Sequence, residues 1–415
     1  MSEVATRPAA LDQQDERLEV ATGIGGAARA FLRRVRGGDL GTLPVVVGLV
    51  IIWTIFQLLN PVFLSSGNLV DLTMQSVTVG VISLGVICVL IAGQIDLSVG
   101  SMSGLAAAIV AVLFVRHGWP IAAAIAAALL AGVVVGWIYS VLLNRFGVPS
   151  FVATLAGLLT FLGLQLYLLG AMGSINLPFG SGLVRFAQVS FLPRNLAYIL
   201  PVIATVAVFL TGLQQSRRRG RAGLSRRSVP FLLMRSGALL AVLVFVTWYL
   251  NQDRGVGWMF VLFVVLVVVM NYALTRTAWG RSLFAVGGNA DAARRLGINV
   301  RGVYTTAFIV CSGLAALGGI LGAARLASAN QSSGTGDVNL NAIAAAVIGG
   351  TSLFGGRGSA YSALLGVIVI QSISNGLTLL NLSSSFRFMI TGLVLAIAVG
   401  VDSLARKSRA LHGRA

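Results

Sequence analysis

Asp96 is the one carboxylate lying well inside an apolar run of this chain, Asp71 standing only near the mouth of another. A charge in an apolar medium costs several kcal/mol unless it is paired, wetted or put to use. The stretch around it, GQIDLSVGSMSG (93–104), breaks the apolar pattern at Gln94, Asp96 and Ser98. Such a break is expected either where an interrupted helix lines a cavity or where a re-entrant turn satisfies its own hydrogen bonds. A second group of polar residues occupies RSLFAVGGNADAARRLGINV (281–300) between two apolar runs. There Asn289 is suited to cap a helix start, Asp291 to the first turn, and Arg294 and Arg295 to the last turn, where they complement the helix dipole. Gly297 supplies the stop, and the short helix would span on the order of 10 Å. Gly288, Ala292 and Ala293 keep one side low enough for another protein to approach. Without such a partner, the same residues describe a capped surface turn resting on lipid headgroups.

Other chemistries find no residues here. The chain has a single lysine, Lys407, so the phosphate-binding loop GxxxxGK[ST] cannot be built. His117 and His412 are far apart and suggest no metal set, and Cys88 and Cys311 lie inside apolar runs as small core residues. One intramembrane aspartate makes a poor proton relay. No catalytic constellation and no cofactor site is read.

The elements that must position these residues are apolar and helical. Of 415 residues, 57% are hydrophobic and 10% charged, against about 25% charged in a soluble domain. The expected fold is an all-α polytopic membrane protein of about 11–12 transmembrane or re-entrant helices. Runs of spanning length occur at about 44–64, 69–93, 96–116, 120–143, 151–171, 196–212, 231–250, 258–275, 303–324, 359–381 and 386–404. A Gly-rich run at 341–355 is short enough to be re-entrant. Residues 1–42 form a cytoplasmic tail in which Ala27–Arg36 suits a basic surface helix, residues 43–404 form the membrane domain, and 405–415 form a second tail. No short apolar core with a cleavage site marks a secretory signal. The net charge of +18 is spread through short interhelical segments, which does not suit nucleic-acid binding. With the N-terminus inside, 24 of the 30 Lys and Arg residues fall on the cytoplasmic side, placing both termini and the 276–302 loop there. Residues 213–230 read as a basic, flexible cytoplasmic insertion. Gly93, Leu97, Gly100 and Ser103 recur at the same spacing as Gly349, Leu353, Gly356 and Ser359, a weak sign of a two-fold internal repeat.

Four stretches, GQIDLSVGSMSG (93–104), VPSFVATLAG (148–157), AVGGNADAARRLGINV (285–300) and LNAIAAAVIGGTSLFGGRGS (340–359), carry a resemblance. The chain resembles the membrane subunits of bacterial ATP-binding cassette importers for pentoses and related monosaccharides, from about residue 44 to 404. In these importers a cytoplasmic coupling helix with the pattern Glu-Ala-Ala-x-x-x-Gly fits a groove on the ATP-binding subunit. Here it reads Asp291, Ala292, Ala293 and Gly297, with Asp keeping the negative charge at the helix start. The resemblance implies several partners: an ATPase subunit that binds the ATP, a periplasmic sugar-binding protein, and a second copy of this chain within the lipid bilayer. It implies alternating access for D-xylose or another pentose, with Gln94, Asp96, Ser98, Gln371 and Asn375 as candidate pathway residues. Gln371 and Asn375 alternatively cross-link helices. A stand-alone secondary carrier or sugar facilitator is the rival reading, and it would leave the capped helix without a task.

Overall fold

The computed structural model describes residues 43–383, together with Gly26 and scattered positions between 385 and 400. The expected surface helix at 27–36, the second tail and more than half of the 386–404 span lie outside the described residues. Two compact units divide the chain, one containing residues 192–255 and the other residues 41–191 and 256–404.

The larger unit opens with α1 (Leu43–Leu59) and α2 (Ser66–Ile91). α2 is apolar on every side, and 89% of its most hydrophobic window is buried, as expected of a helix surrounded by others. It stops where Gly93 turns to φ +75. There the Gly93 N–H donates to Leu90 O at 2.8 Å and the Gln94 N–H to Val89 O at 3.0 Å, the paired bonds of a Schellman closure. Non-helical chain over 92–98 leads into α3 (Val99–Ala111), whose last turn widens into a π-turn over Val112–Arg116. α4 (Ile121–Phe146) and α5 (Ser150–Leu169) each begin directly after a proline, Pro120 and Pro149, whose fixed φ suits a helix start. β1 (Ser174–Asn176) and the short α6 (Gly182–Gln188) follow.

The smaller unit is a hairpin of α7 (Arg194–Arg221) and α8 (Val229–Leu250). α7 continues as helix through the first half of the basic segment expected to be flexible, since arginine sustains a helix. The remaining turn is tied, with Arg219 Nε donating to Ser225 O and Ser216 Oγ to Arg227 O, both at 2.8 Å.

The larger unit resumes with α9 (Trp258–Arg276), α10 (Ala278–Gly288), α11 (Ala290–Arg295) and α12 (Val300–Leu326). β2 (Ser328–Asn330) then pairs antiparallel with β1, Ile175 opposite Ala329. α13 (Val338–Ile348) and α14 (Ala360–Leu379) complete the described helices. α12 is the hub, packed on α4, α2 and α3. It approaches closely because small residues face one another: a Cβ on Gly136 would collide with the Phe308 and Ile309 main chain, and one on Gly319 with Ser103. Among the described residues nine helices are long and apolar enough to cross a membrane. They fall within a few residues of the expected runs, except that α7 extends beyond its run, and the fold is all-α and polytopic. α6 and α10 were not expected.

The short Gly-rich run holds α13 and the turn after it. Ahead of α13, turns over 331–337 lie beside α3, with Gly334 against the main chain of Gly100 and Gly104. α13 carries on for 11 residues, roughly 16 Å at 1.5 Å per residue. Beyond it, the Gly356 N–H donates to Ile91 O at 2.9 Å, at the far end of α2. α3 and α13 therefore both begin inside the bundle, side by side, where Asn339 Nδ2 donates to Leu97 O at 2.7 Å. The four-residue echo does not share a conformation: Gly100 is helical within α3, whereas Gly356 sits in a loop at φ +70.

Candidate functional site

α11 forms as its residues dictate. Asn289 Oδ1 accepts from the Ala292 N–H at 2.9 Å, and Arg294 pairs with Asp291 at 3.1 Å. Both of those charged side chains are largely exposed, so the ion pair contributes little to stability. Gly297 at φ +81 ends the helix, with the Gly297 N–H donating to Arg294 O and the Ile298 N–H to Ala293 O, both at 3.0 Å. Ala293 is buried against the bundle, while Gly288, Ala292, Arg294, Arg295 and Gly297 are exposed. Of the eight residues expected to couple to a partner, Asn289, Asp291, Ala292, Ala293, Arg294 and Arg295 fall on α11 and its N-cap, while Gly288 ends α10 and Gly297 follows the C-cap Leu296. Sequence reasoning passed over Leu296, an apolar side chain 82% exposed at the end of α11. Its flanking arginines had suggested only charge.

A junction of main-chain atoms joins the base of α11 to the bundle. Gly287, near the end of α10, lies against Ile91 O at the end of α2 and 2.8 Å from Gly356 N, measured from where a Cβ would stand. A Cβ on Gly355, itself at φ +88, would lie 2.6 Å from Gly287 O and 2.9 Å from Gly93 Cα. Two turns, at 93 and 355–356, and the end of α10 at Gly287 therefore meet without side chains between them.

The Asp96 turn is pinned. Asp96 Oδ1 accepts from the Ser98 N–H at 2.8 Å and Ser98 Oγ at 2.7 Å, and Ser98 Oγ accepts from the Tyr139 hydroxyl at 2.7 Å. Asp96 Oδ2 has no hydrogen-bond partner among the described residues, and the Cys311 thiol lies beside the carboxyl group. The exposed main chain of the turn is satisfied from α5, where Thr154 Oγ1 accepts from the Leu97 N–H at 3.1 Å. Gln94 contributes its N–H to the α2 closure. Asn375 is paired reciprocally with Asn68 by amide hydrogen bonds of 2.8 and 2.9 Å, linking α14 to α2.

A cavity of about 360 Å³ opens between α2, α3, α12, α13 and α14. Thr78, Arg325, Asp337, Asn341, Gln371 and Ser374 line it. Of the five expected pathway residues, Gln371 is in this lining, whereas Gln94, Asp96, Ser98 and Asn375 are not. The others were missed because they stand singly in apolar runs or in a stretch that reads as an external loop. The available signal was the pair Gln75 and Thr78, three residues apart on one face of α2. Among the described residues no group of His, Cys, Asp and Glu suits a metal ion.

The model of the family described as branched-chain amino acid transport system / permease component matches residues 68–399. The xylose transport system permease protein XylH of Escherichia coli (strain K12) is 32% identical over 345 residues, covering 83% of this chain and 87% of that relative. XylH of Haemophilus influenzae is 32% identical over 378 residues, 90% of this chain and 99% of the relative. The ribose import permease protein RbsC of Escherichia coli (strain K12) is 30% identical over 361 residues, 86% and 92% of the two chains. No solved structure matches. A polytopic helical bundle with a capped helix outside its spans, matched over most of its length, is a multi-pass membrane transport subunit rather than a catalytic enzyme, and the chain belongs to the branched-chain amino acid transport system / permease component family.

Proposed function

We propose that this chain is the membrane subunit of an ATP-binding cassette importer that passes a pentose, D-xylose foremost, into the cytoplasm. The observation that carries this is α11, a helix capped at both ends and presenting Leu296 and Arg295 outward beside a buried Ala293. An exposed apolar side chain on a rigid, pre-formed helix suits insertion into a groove of a partner. The similarity to XylH and RbsC supports the choice of cargo. The distribution of arginine supports a cytoplasmic α11 and cytoplasmic termini.

In this reading an ATPase subunit binds ATP and closes on α11, a periplasmic sugar-binding protein delivers the cargo, and a second copy of the chain completes the pathway. The single lysine, Lys407, leaves this chain no phosphate-binding loop of its own. Gly288, Asn289, Asp291, Ala292, Ala293, Arg294, Arg295 and Gly297 shape the docking unit. Gln371 faces the cargo, Gln94, Asp96 and Ser98 hold the break between α2 and α3, and Asn375 holds α14 to α2. A stand-alone carrier has no use for an exposed Leu296 on a capped helix.

The test is retention of an ATPase by tagged chain solubilised in mild detergent, comparing wild type with Gly297→Trp. Tryptophan at φ +81 is strained in the left-handed region and removes the helix stop. An ATPase held by wild type and lost from the variant is the expected result. An ATPase held equally by both, or labelled xylose crossing liposomes that contain this chain alone, overturns the proposal.

A further inference from the structure

We infer that the cavity between α2, α12, α13 and α14 is a binding site for a single monosaccharide ring within one protomer. The inference rests on the importer reading for the choice of cargo, but its geometry stands apart from α11. Val300, where α12 leaves the α11 loop, and Arg325 at the cavity are the two ends of one helix, roughly 38 Å apart at 1.5 Å per residue. The site therefore occupies the opposite end of the bundle from the docking helix.

Size is the first argument. At about 360 Å³ the cavity lies at the small end of the range for small-molecule sites, roughly 300–1,000 Å³. It suits one sugar ring rather than a chain of them.

Unsatisfied polarity is the second. Thr78 Oγ1, Arg325 Nε and Asn341 Oδ1 are buried atoms without a hydrogen-bond partner among the described residues, and all three residues line this one cavity. Asn341 is only 5% exposed, and its amide nitrogen is already committed to Asp337 Oδ2 at 3.1 Å, which leaves its carbonyl oxygen for an occupant. Gln371 is 9% exposed and its amide makes no hydrogen bond among the described residues. Leaving such groups unmatched is costly, so the space is filled by water or by a ligand carrying its own donors and acceptors. The hydroxyls of a sugar supply both: they donate to Asn341 Oδ1 and accept from the Arg325 Nε–H and the Gln371 amide. An aliphatic amino acid, the cargo class in the family's description, would set hydrocarbon against Thr78, Asn341 and Gln371. Polar sites reject such a mismatch strongly.

The inference is tested with full-length chain bearing Ser374→Cys, in membranes, labelled by a small water-soluble thiol reagent. The two native cysteines, Cys88 and Cys311, are buried and give a low background. D-xylose at twice its dissociation constant is expected to slow labelling about threefold, and L-leucine to leave the rate unchanged. Adding Asn341→Leu should abolish protection while labelling itself persists, which shows that the cavity is still formed. Should Ser374→Cys not fold, Thr378→Cys reports on the same lining. A rate indifferent to D-xylose and D-ribose, or slowed by L-leucine instead, overturns the inference. The labelling reads occupancy of the cavity without ATP turnover, so its failure is distinguishable from a failure of α11 to hold an ATPase.

Discussion

Two neighbouring glycines, given the same substitution, should behave in opposite ways. Gly287 and Gly288 close α10, and neither has a positive φ. A methyl group on Gly287 would collide with Ile91 O and crowd Gly356 N, whereas one on Gly288 would meet nothing within 4 Å. For Gly287→Ala the obstacle is main chain, which cannot rotate aside, so α10 must shift away from the end of α2. Overpacking of this kind costs about 1–3 kcal/mol. The Gly356 to Ile91 hydrogen bond, 2.9 Å long, would also be strained or lost, at a further cost of about 1 kcal/mol. Gly288→Ala has no such cost and gains a few tenths of a kcal/mol from reduced freedom of the unfolded chain. The assay is the midpoint of thermal inactivation for each purified variant in the same detergent, read beside ATP-dependent uptake in cells. Gly287→Ala should fall about 2–5 °C below wild type, and Gly288→Ala should match or slightly exceed it. Equal midpoints for the two variants would refute the close approach of α10 to the two turns.

Three further outcomes are expected. Asn289→Ala removes the side-chain cap of α11 at a cost of about 1 kcal/mol; partner retention should weaken while the thermal midpoint of the bundle holds, and an unchanged retention counts against the docking reading. Leu296→Glu leaves the helix and its caps intact but places a charge where an apolar contact is expected, so ATPase capture should be lost without any loss of folded protein. Tyr139→Phe deletes the donor to Ser98 Oγ at 2.7 Å and should lower the midpoint by the equivalent of about 1 kcal/mol, and a midpoint equal to wild type would show that the Asp96 turn is not held from α4.

The helices and the capped helix α11 were legible because each is specified locally. Apolar runs of spanning length bounded by Pro120, Gly147 and Pro149 mark their own ends. Asn289 and Gly297 define α11 by chemistry that needs no tertiary context. What could not be read depends on residues far apart in sequence. Asn375 could be read either as a pathway residue or as a cross-link between helices, and its partner Asn68, which fits the cross-link, is 307 residues away in sequence. Asn341 and Thr78 line one cavity only when α13 and α2 meet, and neither carries a signal beyond a polar side chain in an apolar run. The continuation of α7 to Arg221 was hidden because a run of arginines reads as solvated loop when hydropathy alone is followed. Leu296 is apolar on an exposed unit, and sequence periodicity over six helical residues is too short to reveal which face it takes.

The junction of Gly93, Gly287, Gly355 and Gly356 has a mechanical corollary. Side-chain contacts absorb small displacements by changing rotamer, at a cost of about a kcal/mol or less per torsion. Peptide groups pressed directly on peptide groups have no such slack. The seam between α10 and the turns after α2 and α13 is therefore stiff. In the proposed docking reading, a push on α11 would reach both turns through it with no rotamer to absorb the movement.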